Sequence, residues 1–316
     1  MQIEGVDRVF AQLSSKADLR PSATYSVMMP PILMPMHVAV DATPIAVGNN
    51  PEAFFLKLYA PDMLSFIDLP AAVEASRSAG ALGIGPAVVA ESAEAHAILF
   101  EQLPAESWRM ASRQDLRSPS TLEAVVQAKR NWHRSPALTR TRSPFDVIRS
   151  HLLQLRALGK DAPPPPSFDI LKAWVDRTEQ AIAASGFDIG PLHGENTVSN
   201  VMLGPSNQVK LVDFDQAMNG DPYYDLGAFC IECCSFTDEV EAVVSMYQGA
   251  SNGRVLARVL VYMLVDDFLW GCWASIAQAT SPRSGGIEFY KYAQNRFVRC
   301  QYWLGLTDFD RALHQL

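Results

Sequence analysis

Between His193 and Asp215 the chain collects side chains able to move a proton and hold a hard cation. His193-Gly-Glu195 is followed by the amide of Asn200 and, thirteen residues later, by Asp213-Phe-Asp215. Carboxylate and amide oxygens are the donors Mg²⁺ prefers, and a carboxylate beside them can take the proton of a hydroxyl that is to become a nucleophile. Asp213 ends the apolar run Val209-Lys-Leu211-Val212, so in an extended segment Asp213 and Asp215 project from one face. Two carboxylates at the tip of a buried strand need a cation or hydrogen bonds to compensate them. Asn200 favours the magnesium reading; the alternative is a pair of turn-capping aspartates.

A second charged residue stands in apolar surroundings. Lys57 lies inside Phe54-Phe55-Leu56-Lys57-Leu58-Tyr59, a predicted strand. A lysine there either snorkels at a sheet edge or uses its charge. Glu74, on the helix that follows, is within reach to hold the ammonium in place. Such a pair orients a phosphate-binding lysine in phosphoryl transfer. In Gly220-Asp221-Pro-Tyr-Tyr-Asp225 both acids read as structural, Asp221 in a turn before proline and Asp225 as the cap of the next helix.

These residues need two kinds of support. Up to about residue 100 the pattern is a small sheet with one helix: the strand at Phe54–Tyr59, a helix over Asp68–Leu82 and a hairpin from Val88–Ala90 and Ala97–Phe100. Glu101-Gln-Leu103-Pro104 breaks the pattern and marks a connection between two domains, 1–103 and 104–316. Helical periodicity then covers Thr121–Trp132, Phe145–Leu158 and Ile170–Ser185, with the Pro163–Pro166 run as a stiff linker. After Asp225 the chain reads as mostly helical. The expected class is α+β, with a small β-rich lobe and a larger helical one.

Composition narrows the setting. A chain of 316 residues, 48% hydrophobic and 19% charged, is globular. Its formal charge of −8 gives no support to nucleic-acid binding. Five cysteines (Cys230, Cys233, Cys234, Cys272 and Cys300) and no leader-like start read as reduced thiols in a cytoplasm. Cys230-x-x-Cys233-Cys234 has no second pair at zinc spacing, so buried thiols are the simpler account than a metal or redox motif. Prolines and Asp41 interrupt the apolar stretch Val27–Val47, which argues against a membrane-inserted helix.

His193-Gly-Glu195-x-x-x-x-Asn200, with Asp213-Phe-Asp215 and Gly220-Asp-Pro-x-x-Asp225, resembles the aminoglycoside phosphotransferase and choline kinase superfamily, which has a protein-kinase-like bilobal fold. Phe268-Leu-Trp270-Gly-Cys-Trp273, Ile287-Glu-Phe289 and Tyr292-Ala-x-x-Arg296-Phe297 are similar to its choline/ethanolamine kinase branch, as is Phe145-Asp-Val after a helix ending at His133. The resemblance runs from about Phe54 to Leu304. It implies transfer of the ATP γ-phosphoryl group to the hydroxyl of choline, ethanolamine or a related cationic amino alcohol, with Mg²⁺. Asp213 and Asn200 would be the metal ligands, and Glu195 would stand where the catalytic base does. Lys57 would meet the nucleotide phosphates and the backbone of Glu101 to Leu103 the adenine. Trp270, Trp273 and Glu232 would form the ammonium pocket. Aromatic faces and a carboxylate suit a quaternary ammonium, which donates no hydrogen bond; two tryptophans three apart on a helix also suit a packing seam.

Two departures from the family pattern stand out. Glu195 replaces an aspartate, lengthening the base by about one bond, and a shift of roughly 1 Å in a catalytic group can cost on the order of a hundredfold in rate. Met28-Met-Pro-Pro-Ile-Leu-Met-Pro-Met36 falls where a glycine-rich phosphate loop belongs, and Gly48-Asn49-Asn50 is a weak substitute for it. They keep open two alternatives: a catalytically impaired kinase relative acting as a ligand-binding or regulatory module, and a kinase for another hydroxylated amine such as an aminoglycoside.

Overall fold

The structure is a computed structural model that describes residues 6–17, 23–28, 41–49, 52–284 and 287–316. The N-terminal part is an antiparallel five-stranded sheet. Its strands are β1 (Thr24–Val27), β2 (Ala42–Asn49), β3 (Glu52–Tyr59), β4 (Val88–Ser92) and β5 (Ala97–Glu101), in the order β1-β2-β3-β5-β4. Alternation in β3 puts Leu56 on one face of the sheet and Lys57 and Tyr59 on the other, with Leu56 and Tyr59 buried in separate apolar clusters, and the register sets Lys57 between Pro44 of β2 and Ile98 of β5. Helix α1 (Val6–Lys16) packs against the sheet through Val9 and Leu13. Helix α2 (Leu69–Ala81) begins at Asp68, whose side chain accepts from the Ala71 amide, with Pro70 in the first turn.

After β5 the Gln102 amide bonds the Ala53 carbonyl, and the chain leaves for the helical part. Short strand β6 (Arg109–Met110) precedes α3 (Pro119–His133), α4 (Pro144–Leu158) and α5 (Phe168–Ser185). The next strands carry the acidic motif: β7 (Gly190–Leu192), β8 (Val201–Leu203), β9 (Val209–Leu211) and β10 (Met218–Gly220). They pair as β6-β8-β9 and β7-β10, all antiparallel. Helices α6 (Pro222–Cys233), α7 (Thr237–Gln248), α8 (Gly253–Thr280), α9 (Phe289–Leu306) and α10 (Phe309–His314) complete the chain.

The helical core is built around α8, which is apolar on nearly every side and packs against α4, α6 and α9. Its two acids Asp266 and Asp267 are buried and matched by Arg296 and Arg299 of α9. Among the described residues no helix is long and apolar enough to cross a membrane. The five cysteines are free, Cys233 partly exposed and the others buried.

The predicted strand, helices and hairpin all form within a residue or two of their expected bounds. Asp225 differs from expectation. Asp221 is the N-cap of α6, accepting from the Tyr223 amide, because Pro222 fixes the first helical position. Asp225 therefore lies one turn inside the helix, where its carboxylate points back into the core. The segment expected to replace a glycine-rich loop falls, apart from Met28, outside the described residues, as does Asn50.

Candidate active site

Two short strand pairs assemble the acidic motif. The β8–β9 hairpin sets Val201 opposite Leu211, and the Val212 amide bonds the Asn200 carbonyl at 2.9 Å, so Asn200 and Asp213 become neighbours. The β7–β10 pair brings the turn at His193–Glu195 against Gln216. That turn requires glycine. Gly194 has φ +82°, and a Cβ there would lie 2.1 Å from the Gln216 carbonyl oxygen. The His193 ring packs edge-on against Phe214 and its Nε2 lies 2.8 Å from the Val212 carbonyl. Burial and nearby Lys129 push its pKa down to about 4, so it is neutral.

Asp225 anchors the turn from below. Fully buried, it accepts from the Gly194 amide at 2.8 Å and from Asn196 Nδ2 at 2.7 Å, with His133 Nε2 at 2.9 Å. Lys129, also buried, bonds Asn196 and lies 3.9 Å from Asp225. Burial opposes ionisation of Asp225, but Lys129 and His133 outweigh it and hold its pKa below the usual range.

Lys57 crosses from β3 to this motif. Its ammonium lies 2.5 Å from Asp213 Oδ1 and 2.6 Å from Asp215 Oδ2, and Tyr59 donates to Asp215 Oδ1 at 2.7 Å. Asp213 itself has φ +70°, an uncommon conformation for a non-glycine residue, so the segment is not extended there as expected. The structure also corrects the expected Lys57–Glu74 pair. Glu74 accepts from the amide and hydroxyl of Thr139 at 2.8 and 2.9 Å, because α2 docks its carboxylate on the loop after α3. The nearer carboxylates of Asp213 and Asp215 take the lysine.

Four acids surround that one ammonium, and their titration is split. Burial works against Asp213, yet Lys57 keeps its pKa below the ordinary value. Burial and Asp213 push Asp215 up to about 6. Burial, then Asp213 and Asp215, push Asp41 up to about 7. Burial, then Asp213, Asp41 and Asp215, raise Glu195 well above the usual carboxylate range. The Glu195 carboxylate accepts no hydrogen bond from the described residues; only its carbonyl is engaged, by Asn200 Nδ2 at 3.3 Å. That bond commits the nitrogen of Asn200 and leaves its amide oxygen available.

The donor set of Asp213, Asp215 and the Asn200 amide oxygen is all-oxygen and rich in negative charge, which fits Mg²⁺ chemically. As the side chains stand, no three His, Cys, Asp or Glu among the described residues are already gathered around a metal position, because Lys57 sits between Asp213 and Asp215. Asp41 is the member that sequence reading missed. Its one signal is an acid inside the apolar stretch before β2.

Trp270 and Trp273 of α8 meet edge to face at 5.3 Å, and Trp273 also packs on Phe66, Phe289 and Tyr292. Tyr292 is close enough to Glu195 for the acid to contribute to raising its pKa, after burial. Both tryptophans line a cavity of about 610 Å³ with Phe66, Gln216, Arg142 and His151. Glu232 is absent from that lining; it is buried, with its carboxylate 3.5 Å from Arg299. Glu101 ends β5 with its carboxylate 3.5 Å from Lys210, and the Leu103 amide donates to no group among the described residues.

The fold is that of known small-molecule kinases. A choline/ethanolamine kinase family protein from Mesorhizobium loti superposes with TM-score 0.79 at 18% identity over 98% of both chains. Choline kinase LicA from Streptococcus pneumoniae gives 0.76 at 16% over 96% of this chain and 99% of that one. A microcompartment-associated aminopropanol kinase gives 0.64 at 15% over 95% and 99%. No curated protein sequence is a significant match. The model of the phosphotransferase enzyme family (APH) matches residues 40–260, which include Lys57, Glu195, Asn200 and Asp213. This chain is a member of that phosphotransferase family, with the kinase-like bilobal fold.

Proposed function

We propose that the protein is an ATP- and Mg²⁺-dependent kinase that phosphorylates the hydroxyl of a small hydroxylated amine of the choline, ethanolamine or aminopropanol kind. The observation that carries this is Lys57 clamped on half-buried Asp213 and buried Asp215, with half-buried Glu195 close by and an amide oxygen of Asn200 that accepts no hydrogen bond among the described residues. In-line phosphoryl transfer asks for positioning and charge neutralisation more than covalent chemistry. In this reading residues 1–103 hold the nucleotide and residues 104–316 the metal residues and acceptor. Asp213 and Asn200 would hold Mg²⁺, which supplies neutralisation of phosphate charge. Lys57 would turn to the phosphates, and the spare Leu103 amide with the backbone at Glu101 would meet the adenine. Glu195, whose carboxylate accepts no hydrogen bond among the described residues, receives the proton of the acceptor hydroxyl. The tryptophan faces take the ammonium group.

The test is ATP turnover over a panel of amino alcohols with Mg²⁺. Glu195→Gln should lower kcat by about a hundredfold or more with the KM for ATP little changed, the usual range for removal of a general base. Unchanged kcat would remove Glu195 from the reaction. The clamp of Lys57 on both aspartates favours a second reading, a ligand-binding module without turnover. Thermal stabilisation by choline but not by ATP–Mg²⁺, with no ADP formed, would select it.

A further inference from the structure

The cavity beside the tryptophans is charged in the opposite sense to a site for a bare cation. Among the described residues its lining contains one carboxylate, Asp68, already paired with Arg140 at 2.9 Å. Arg142 also lines it, and its guanidinium has no carboxylate partner among the described residues. The remaining charge is therefore positive, in a chain whose formal net charge is −8. The acid expected to face an ammonium, Glu232, lies elsewhere beside Arg299. His151 is 6% exposed and lines the same cavity, and its buried Nδ1 has no hydrogen-bond partner among the described residues.

The cavity abuts the catalytic turn. Gln216, in its lining, donates to the Phe66 carbonyl at 3.1 Å, and its own carbonyl lies where a Cβ on Gly194 would sit. Trp273, in the same lining, packs on Tyr292 at 6.1 Å, and Tyr292 is near enough to Glu195 to feel its charge. A molecule lying on the tryptophans thus has the arginines in the same lining, and Gln216 beside it packs on the turn that carries Glu195.

We propose that the acceptor bears an oxyanion, a carboxylate or a phosphate, which Arg142 binds while the tryptophans and Phe66 hold the rest of the molecule. This deepens the kinase reading above and rests on it. The acceptor is then a zwitterionic or anionic hydroxy compound, and the aromatic walls hold its carbon frame or ammonium group. Guanidinium is suited to both oxyanions because its planar donors match two oxygens at once.

The experiment compares matched acceptors that differ in the anion: ethanolamine with serine, 3-aminopropanol with homoserine, and glycerol with glycerol 3-phosphate. ADP formation gives kcat/KM, and calorimetry without ATP gives affinity. The anionic member of at least one pair should be preferred. Arg142→Gln, an exposed change that leaves the core untouched, should lower the anionic-to-neutral ratio about tenfold or more, the worth of a charge-assisted bond. The amino-acid and phosphate arms identify which oxyanion is recognised. Preference for the neutral members, a ratio unmoved by Arg142→Gln, or no binding of any anionic member would each overturn the proposal. In the first two cases turnover of neutral amino alcohols leaves the kinase reading standing. Arg142-dependent binding of an anionic member with no turnover at all would support the pocket and refute the kinase.

Discussion

Removing Asp225 should unfold the catalytic turn and much of the stability with it. Its carboxylate is fully buried and satisfies the Gly194 amide, the Asn196 amide and His133, while compensating Lys129, itself 2% exposed. Asp225→Ala leaves that ammonium buried without its counter-charge. Breaking a buried pair on one side costs about 3–5 kcal/mol, and a stranded buried donor such as the Gly194 amide costs about 1–3 kcal/mol. These overlap, so the expected loss is about 4–6 kcal/mol, against a typical total of about 5–15 kcal/mol. Deleting both charges should hurt less than the sum of the single changes, since Lys129→Met removes the group that Asp225→Ala strands. Urea unfolding followed by tryptophan fluorescence on the wild type, both single variants and the double variant measures the coupling. A coupling of at least about 2 kcal/mol is expected for groups in one buried network. A loss under about 1 kcal/mol for Asp225→Ala, or strict additivity, would refute the reasoning.

Gly194→Ala puts a methyl into the Gln216 carbonyl at a positive φ, so kcat should fall at least about a hundredfold as the base is displaced; near-normal kinetics would show that the turn can move. Mg²⁺ should raise the melting temperature of the wild type, by the equivalent of about 2.7 kcal/mol at a hundred times its Kd. Asp213→Asn should abolish most of that shift, and an equal shift in the variant would place the metal elsewhere. Burial and Arg142 lower the His151 pKa to about 4, so its neutral form stabilises the fold above pH 6.5 and that contribution fades as pH falls toward 4. Buried Asp41, Asp215 and Asp266, with raised pKa values, titrate in the opposite direction and mask it in the wild type alone. The test is therefore a difference: between pH 7 and 5, His151→Gln should lose about 2 kcal/mol less stability than the wild type.

The sequence revealed what local patterns determine. Alternation around Lys57, helical spacing over α2 to α5 and the spacing of Glu195, Asn200 and Asp213 were legible because each is a short-range signal. Partner choice was not. Glu74 sits on the predicted helix, but its carboxylate was decided by how α2 docks on Thr139, a contact 65 residues away. Asp41 reads as an interruption in an apolar stretch; only pairing of β2 with β3 brings it to the Lys57 end, where the Ala60 amide bonds its carbonyl. Asp225 was misassigned because two acids flank Pro222–Tyr224 and either could cap. The choice falls on Asp221 once proline occupies the first turn. The tryptophan pair was visible, whereas the guanidinium groups facing it arrive from the loop before α4 and carry no short-range signature.

The two charged regions, taken together, constrain how an acceptor can enter. Around Glu195 four carboxylates face one ammonium, and three of the four have raised pKa values, so the centre is short of positive charge. Beyond Gln216 and Trp273 the cavity carries an arginine in excess of its acids. An oxyanion placed near the carboxylates would be repelled in a poorly solvated site, where charges act more strongly than in water. The same group at Arg142 meets an opposite charge. Under the proposal, an acceptor with a hydroxyl at one end and an oxyanion at the other would be aligned by the field before any close contact forms, with its hydroxyl toward Glu195. A simple amino alcohol has no such handle at Arg142, and its ammonium end would be drawn toward the acids that the hydroxyl must reach. Under the proposal the field aligns a zwitterion for transfer, whereas a bare amino alcohol relies on the tryptophan faces alone to hold its ammonium away from the acids.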